Sequence, residues 1–251
     1  MRTVCIAGVR VRSITMKDLL GEIDGVVNNK GKAIFANVNA RAINIAYESP
    51  WFRRFLNDAQ LVFCDGFGVL RAAYLLGRKL PERITYADFM PFLAERGSTN
   101  KYKFFFLGAK PGIAERAADE LRMKYPDLKV NCHHGFFDQR KDGSENRAII
   151  ELINKSQSDI LVLGMGMPFQ EAWLLENFEN LNIRLALPAG AVFDYMSGEL
   201  PRPPKWMHKI GLEWLGRLLI EPRRLWRRYL IGIPLFLYRV LKEGYFDYDK
   251  D

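Results

Sequence analysis

The chain has 251 residues, 49% of them hydrophobic and 26% charged, a balance that excludes a disordered or fibrous protein and allows a sizeable buried core. No stretch approaches the roughly 20 apolar residues a membrane span needs, and the first apolar run, Val4-Cys5-Ile6-Ala7, is too short for a signal peptide, so a soluble or peripheral protein is expected. The net charge of +8 is uneven: residues 201–245 hold ten Lys or Arg against three acids, a net of +7, and any anionic partner is expected there.

Residues 3–12 predict a strand or small hairpin around Gly8. Ser13 or Thr15 can cap a helix through Leu19, Leu20, Ile23 and Val27 that ends at Asn28-Asn29-Lys30-Gly31. A strand over 33–39 turns polar at Asn37 and Asn39, a helix follows from 40 to 47, and Ser49-Pro50 opens another. Leu61-Val62-Phe63-Cys64 reads as a buried strand ending on Asp65-Gly66-Phe67-Gly68, before a helix that stops at Gly77. A carboxylate at the carboxyl end of a strand occupies the usual place for chemistry in an open α/β sheet, although Asp before a helix also commonly caps it. Both readings of Asp65 stay open at this point.

An amphipathic helix is predicted from 86 to 96, a core strand over 102–107, and the turn Gly108-Ala109-Lys110-Pro111-Gly112 into a helix to about 125. A strand over 129–133, a helix capped by Ser144 and running to 154, and a strand over 159–163 come next. The turn Gly164-Met165-Gly166-Met167-Pro168-Phe169-Gln170 leads into a helix to 177, and a strand over 184–187 precedes the last helix of this part. Strands alternate with helices and are apolar runs, so the fold expected is α/β, a mostly parallel Rossmann-like sheet covered by helices on both faces. Pro201, Pro203 and Pro204 mark a boundary. We therefore expect a core over 1–198 and a basic amphipathic helical appendage over 199–251, broken at Pro222 and Pro234.

Three glycine-rich strand ends precede helices, at Asp65, Gly108 and Gly164. Such turns let phosphate oxygens approach backbone N–H groups at a positive helix end, with Lys110 as an added point charge. None is a GxGxxG or Walker motif, which removes the dinucleotide and ATP signatures. Together at the carboxyl ends of one sheet they point to a nucleotide-like ligand. Asn37, Asn39, Asp65, Arg83 and Gln170 are the candidate polar groups at that rim. Against this, Asn39 also reads as the cap of the next helix, Gln170 as an ordinary first-turn residue and Arg83 as a solvated charge.

The pair His133-His134 is expected to point to opposite faces of a strand and not to share an ion. The only D-x-D, Asp247-Tyr248-Asp249, lies in the acidic tail and is a poor grip for a metal–diphosphate. No metal site and no cofactor are expected. Cys5, Cys64 and Cys132 are far apart without CxxC spacing, predicting three buried thiols in a reducing cytosol. Arginines interleaved with Trp206, Leu212, Trp214, Leu225 and Trp226 fit a membrane interface; the aliphatic content exceeds what base stacking needs, so no nucleic-acid partner is expected.

Taken in order, these stretches resemble the WecG/TagA/CpsF glycosyltransferases, glycosyltransferase family 26, over almost the whole chain. The resemblance rests on Asn37-Val38-Asn39, Asp65-Gly66-Phe67-Gly68, Arg83-Ile84-Thr85-Tyr86-Ala87-Asp88 and Phe106-Leu107-Gly108-Ala109-Lys110-Pro111-Gly112. Further along it rests on Gly164-Met165-Gly166-Met167-Pro168-Phe169-Gln170-Glu171, Gly190-Ala191-Val192-Phe193-Asp194 and the tail from Pro201-Arg202-Pro203-Pro204 to Glu221-Pro222-Arg223-Arg224. It implies inverting transfer of a sugar from a UDP-sugar donor to a saccharide on an undecaprenyl (polyprenyl) diphosphate carrier, in cell-envelope or exopolysaccharide synthesis. It also implies a cytoplasmic protein, peripheral on the inner face of the cell membrane. By the same resemblance Asp65 matches the base, Asn39, Arg83 and Gln170 match other active-site positions, and Arg217, Arg224 and Arg227 fall where the carrier diphosphate is held. Some relatives carry threonine at Asn37, which leaves the sugar as N-acetylmannosamine or a related hexose.

An epimerase or other nucleotide-sugar enzyme would want a GxGxxG near residue 10 and a Tyr-x-x-x-Lys pair, and neither is present. A non-catalytic membrane-surface adaptor would be indifferent to Asp65→Asn. The sequence leaves open a homo-oligomer, and it predicts metal-independent transfer, since without a core D-x-D the departing UDP must be met by helix N-termini, Lys110 or arginines.

Overall fold

A computed structural model describes residues 2–247. The chain opens with an antiparallel hairpin, β1 (Thr3–Ile6) and β2 (Val9–Arg12), paired from Thr3↔Arg12 to Ile6↔Val9. The helices α1 (Met16–Asn28), α2 (Ala40–Glu48), α3 (Pro50–Asp58), α4 (Phe67–Leu75) and α5 (Tyr86–Asn100) alternate with β3 (Ala33–Val38), β4 (Leu61–Cys64) and β5 (Lys103–Gly108). Then follow α6 (Ile113–Lys124), β6 (Lys129–His133), α7 (Ser144–Ser156), β7 (Ile160–Gly164), α8 (Phe169–Asn177), β8 (Leu185–Pro188) and α9 (Val192–Met196). The last segment is helical: α10 (Lys205–Ile210), α11 (Glu213–Ile220), α12 (Pro222–Trp226) and α13 (Gly232–Asp247).

Strands β3 to β8 form a six-stranded parallel sheet in the order β4-β3-β8-β7-β5-β6. Its registers include Phe104↔Val130, Phe104↔Ile160 and Ile160↔Leu185. The reason is legible in the residues: Phe104, Phe105 and Phe106, like every residue of β7, are buried, and strands covered on both faces carry continuous apolar runs.

Two compact units make up the chain. One comprises residues 1–15, 37–85 and 201–251; the other comprises 16–36 and 86–200. In the first, the last helix, α13, is bound to α2. Phe236 and Val240 of α13 are buried, and Arg239, 7% exposed, donates to the Asn44 carbonyl at 3.0 Å and pairs with Glu48 at 2.5 Å. Asn44 Nδ2 donates in return to the Gly232 carbonyl at 2.7 Å. In the second unit, Asn146 is fully buried and accepts from the Trp173 indole at 2.7 Å while donating to Asn177 at 3.0 Å.

Several local expectations are corrected. Gly143, not Ser144, is the N-cap residue of α7. Helix α5 runs four residues past 96, and Gly97 within it takes the Phe104 ring so closely that a Cβ there would lie 2.4 Å from it. Pro222 opens α12 as expected, but Pro234 does not end the helix, which runs without a break from Pro222 through α13. A π turn over Arg227–Ile231 joins α12 to α13. His134 lies beyond the end of β6, so the rings of His133 and His134 do not face apart but lie 4.3 Å centroid to centroid. Among the described residues no group of three or more His, Cys, Asp or Glu could hold a metal ion. Of the D-x-D, Tyr248 and Asp249 lie outside the described residues. All three cysteines are free thiols; Cys64 is buried, and Cys5 and Cys132 are partly so.

Candidate active site

Asp65 follows the last residue of β4, and its backbone N–H donates to the Val38 carbonyl of β3 at 2.8 Å, which fixes it beside that strand's carboxyl end. Gly66, with φ of 134°, is the N-cap residue of α4. That conformation suits glycine, and it leaves the Asp65 carboxylate out of the capping role. The carboxylate instead accepts from Asn37 Nδ2 at 2.6 Å. Asn39 is a true cap: its Oδ1 accepts from the N–H groups of Arg41 at 3.0 Å and Ala42 at 3.1 Å.

These groups open on a cavity of about 410 Å³ within the first unit. Asn39, Asp65, Arg83 and Arg217 line it, together with Arg41, Arg71, Glu213 and Arg228. Arg83 Nη1 donates to Glu213 Oε2 at 2.5 Å, and His208 Nδ1 lies 3.3 Å from the same oxygen. The His208 Nε2 faces the Pro203 carbonyl at 2.9 Å, so this nitrogen carries a proton. The rest of the wall is apolar, including Ile210, Leu212, Trp214, Ile233, Phe236 and Leu237.

Burial raises the Asp65 pKa to about 6; Glu213 pushes it the same way, while Arg83, the Asn37 hydrogen bond and Arg217 oppose. Burial lowers Arg228 to about 10, with Arg217 and Arg41 adding like-charge repulsion and Tyr229 and Asp65 opposing. Three guanidinium groups thus crowd one wall, a place an anion would relieve. Burial also pushes the neighbouring Cys64 thiol up to about 12, which keeps it protonated and inert.

Arg224 and Arg227 take other positions. Both are exposed and neither lines the cavity: Arg224 is held by Glu221 with Nε at 2.7 Å from Oε1, and Arg227 lies 5.1 Å over the Trp226 ring. One position further on, Arg228 reaches the cavity instead.

The remaining sequence candidates lie in the second unit. Gly108 ends β5 with φ of 149°, and a Cβ there would come within 2.4 Å of the Gly164 backbone, so the ends of β5 and β7 touch. The Ala109 N–H donates to the Gly164 carbonyl at 3.0 Å, and the exposed Lys110 sits in the turn that follows. Gln170 is fully buried. Its Oε1 accepts from Gly166 N and Gly190 N, both at 3.1 Å, and its Nε2 donates to Glu171 at 2.9 Å. It ties the loops after β7 and β8 into one frame. The structure therefore gathers the candidates in two groups, one around Asp65 and one around Gly108, Gly164 and Gln170.

Sequence reasoning missed Arg41, Arg71, His208, Glu213 and Arg228. Glu213 and Arg217 stand four apart on one helix, a spacing that ordinarily signals a solvent-facing ion pair. Arg228 is hidden in a run of four arginines, and nothing local distinguishes the inward one.

A sequence model of the glycosyl transferase WecG/TagA/CpsF family matches residues 4–250. Two relatives from Staphylococcus aureus, of strains MRSA252 and NCTC 8325 / PS 47, are each 27% identical over 241 residues, covering 95% of this chain and 92% of theirs. Both are named N-acetylglucosaminyldiphosphoundecaprenol N-acetyl-beta-D-mannosaminyltransferase.

Proposed function

Because this chain belongs to the WecG/TagA/CpsF glycosyltransferase family and is a glycosyltransferase of the hexosyltransferase type, we propose that it carries a sugar from a UDP-sugar to a saccharide on a polyprenyl diphosphate. The sugar is N-acetylmannosamine or a related hexose, as the relatives' names suggest. The observation that carries this reading is Asp65: a half-buried carboxylate, held by Asn37, in a cavity whose wall passes from arginines to apolar side chains. An anionic head with a long hydrocarbon tail matches such a wall.

In this reading Asp65 takes the proton of the acceptor hydroxyl as that oxygen attacks the anomeric carbon. The bond from that carbon to the UDP oxygen breaks on the opposite side, so the configuration inverts. A carboxylate with a pKa near 6 is ionised at neutral pH and is a stronger base than an ordinary aspartate. Asn37 orients it by donating to one oxygen. Arg217, Arg41 and Arg228 supply positive charge for the acceptor's diphosphate; Arg224 and Arg227, exposed beside Trp226, are assigned to diphosphates at the membrane surface. Lys110 and the glycine-rich turns at Gly108, Ala109, Gly164 and Gly166 are assigned to the donor's phosphates, and Gln170 holds the turn at Gly166 in place. The core lacks a D-x-D, so transfer is expected to survive a chelator; activity lost on chelation and restored by divalent ions would overturn this.

The test is a panel of UDP-sugars assayed against a polyprenyl-diphosphate-linked N-acetylglucosamine. One donor should be consumed with formation of an inverted glycoside, and Asp65→Asn should lower turnover by about 100-fold or more. Native turnover by Asp65→Asn would remove Asp65 as the base, and no transfer from any donor would remove the reading.

A further inference from the structure

The carboxylate of Glu213 has no part in the reaction just described, yet it sits in the same cavity among groups that bear on Asp65. It comes from α11, while Arg83 precedes α5, and the two meet at 2.5 Å with only 22% and 15% of their side chains exposed. His208 of α10 approaches the same oxygen from the other side at 3.3 Å. Among the described residues lining the cavity, Asp65 and Glu213 are the two acids, set against Arg41 of α2, Arg71 of α4, Arg83, Arg217 of α11 and Arg228.

We propose that Glu213 is a positioning residue for the Asp65 base: it takes up one edge of the Arg83 guanidinium and adds a second negative charge to the cavity, so that Asp65 is a stronger base than the surrounding arginines alone would leave it. Without Glu213, Arg83 and Arg217 would act on Asp65 with no second acid in the cavity to oppose them, and nearby positive charge holds a carboxyl ionised and weakly basic. With it, Arg83 is shared. Burial remains the largest cause of the raised Asp65 pKa, and Glu213 is the next. The other neighbours do not duplicate this effect: Asn37 is neutral, Cys64 stays protonated, and His208 in its charged form would screen Glu213. The catalytic half of the inference rests on the transferase reading above, whereas the electrostatic half does not.

The experiment separates the two. Protein with isotope-labelled aspartate carboxyls is titrated by NMR, and the Asp65 signal is identified as the one missing from Asp65→Asn. Native protein should titrate with a midpoint of about 6. Glu213→Gln, which keeps size and an acceptor oxygen for Arg83, should move the midpoint down by about one pH unit. The acid limb of its kcat/KM profile should move the same way, and its plateau should fall a few-fold. Glu213→Asp keeps the charge and should titrate close to native, which also covers a Glu213→Gln that fails to fold. An unmoved Asp65 midpoint in Glu213→Gln, or a Glu213→Asp midpoint that falls as far as that of the glutamine variant, overturns the inference. A midpoint that moves in a protein that transfers no sugar supports the electrostatic coupling and removes the transferase reading instead.

Discussion

At Asp65 the demands of stability and chemistry oppose each other. Its pKa is raised above the usual carboxylate value, so over the interval from about 4 to about 6 the folded chain holds a proton that the unfolded chain has released. Stability therefore falls as pH rises through that window and stays lower above it. A shift of about two units corresponds to about 3 kcal/mol as an upper figure. Asp65→Asn should accordingly melt several degrees above the native protein near pH 8, with the gap closing as pH falls toward 4, about 2–4 °C per kcal/mol for a chain of this size. Equal melting temperatures at both ends would show that burial of the charge carries no cost. If Asp65 is the base proposed above, turnover runs the other way and should rise through about pH 6 as it ionises, which a kcat/KM pH profile checks. The position of Asp65 was legible because an apolar strand, an acid and two glycines fall in succession. The residues that set its basicity were not: Glu213 and Arg83 are separated by 130 positions, and no local pattern joins them.

Among elements, α13 departs most from its sequence appearance. Its apolar stretch and two basic residues look like a surface piece, yet Phe236 is fully buried and the Arg239 guanidinium, almost covered, caps the C-terminal end of α2 through Asn44 and Glu48. Phe236→Ala should cost about 3–5 kcal/mol, measured by denaturant unfolding with urea; a loss below about 1 kcal/mol would mean that α13 contributes little to the fold. The proposed boundary at residue 198 is tested by a chain ended there. It keeps every strand but loses the helices that pack on α2, so we expect a lower melting temperature, retained UDP binding, and no turnover of the lipid acceptor. Turnover equal to that of the full chain would remove the acceptor role of this segment. The strands were readable because their apolar runs leave no alternative to burial, whereas Pro234 misled because the π turn over Arg227–Ile231 that precedes it in the unbroken helix leaves no local mark in the sequence.

For the whole molecule, the excess charge and the exposed apolar side chains coincide. The segment carrying +7 also exposes Trp206, Leu219, Trp226, Leu230 and Ile231, and among the described residues no helix is long and apolar enough to cross a membrane. Its proposed seat is therefore a bilayer surface, with the arginines at the headgroups. Sedimentation with anionic vesicles should exceed that with neutral ones and weaken steeply between low and about 0.5 M salt; equal binding to both would discard the electrostatic part. The division into two units was illegible for a different reason. Composition changes only at the prolines near 201, while the first unit is assembled from three separate stretches.

The link from Arg83 to Glu213 has a consequence in time. A chain still emerging from the ribosome displays Asp65, Asn37 and Arg83 long before residue 213 is made. Until then, of the cavity's residues, only Arg41, Arg71 and Arg83 among the arginines have been made, and Glu213, Arg217, Arg228 and the far wall are still to come. On the proposed roles, a chain released before residue 213 would hold Asp65 without the acid that is proposed to tune it.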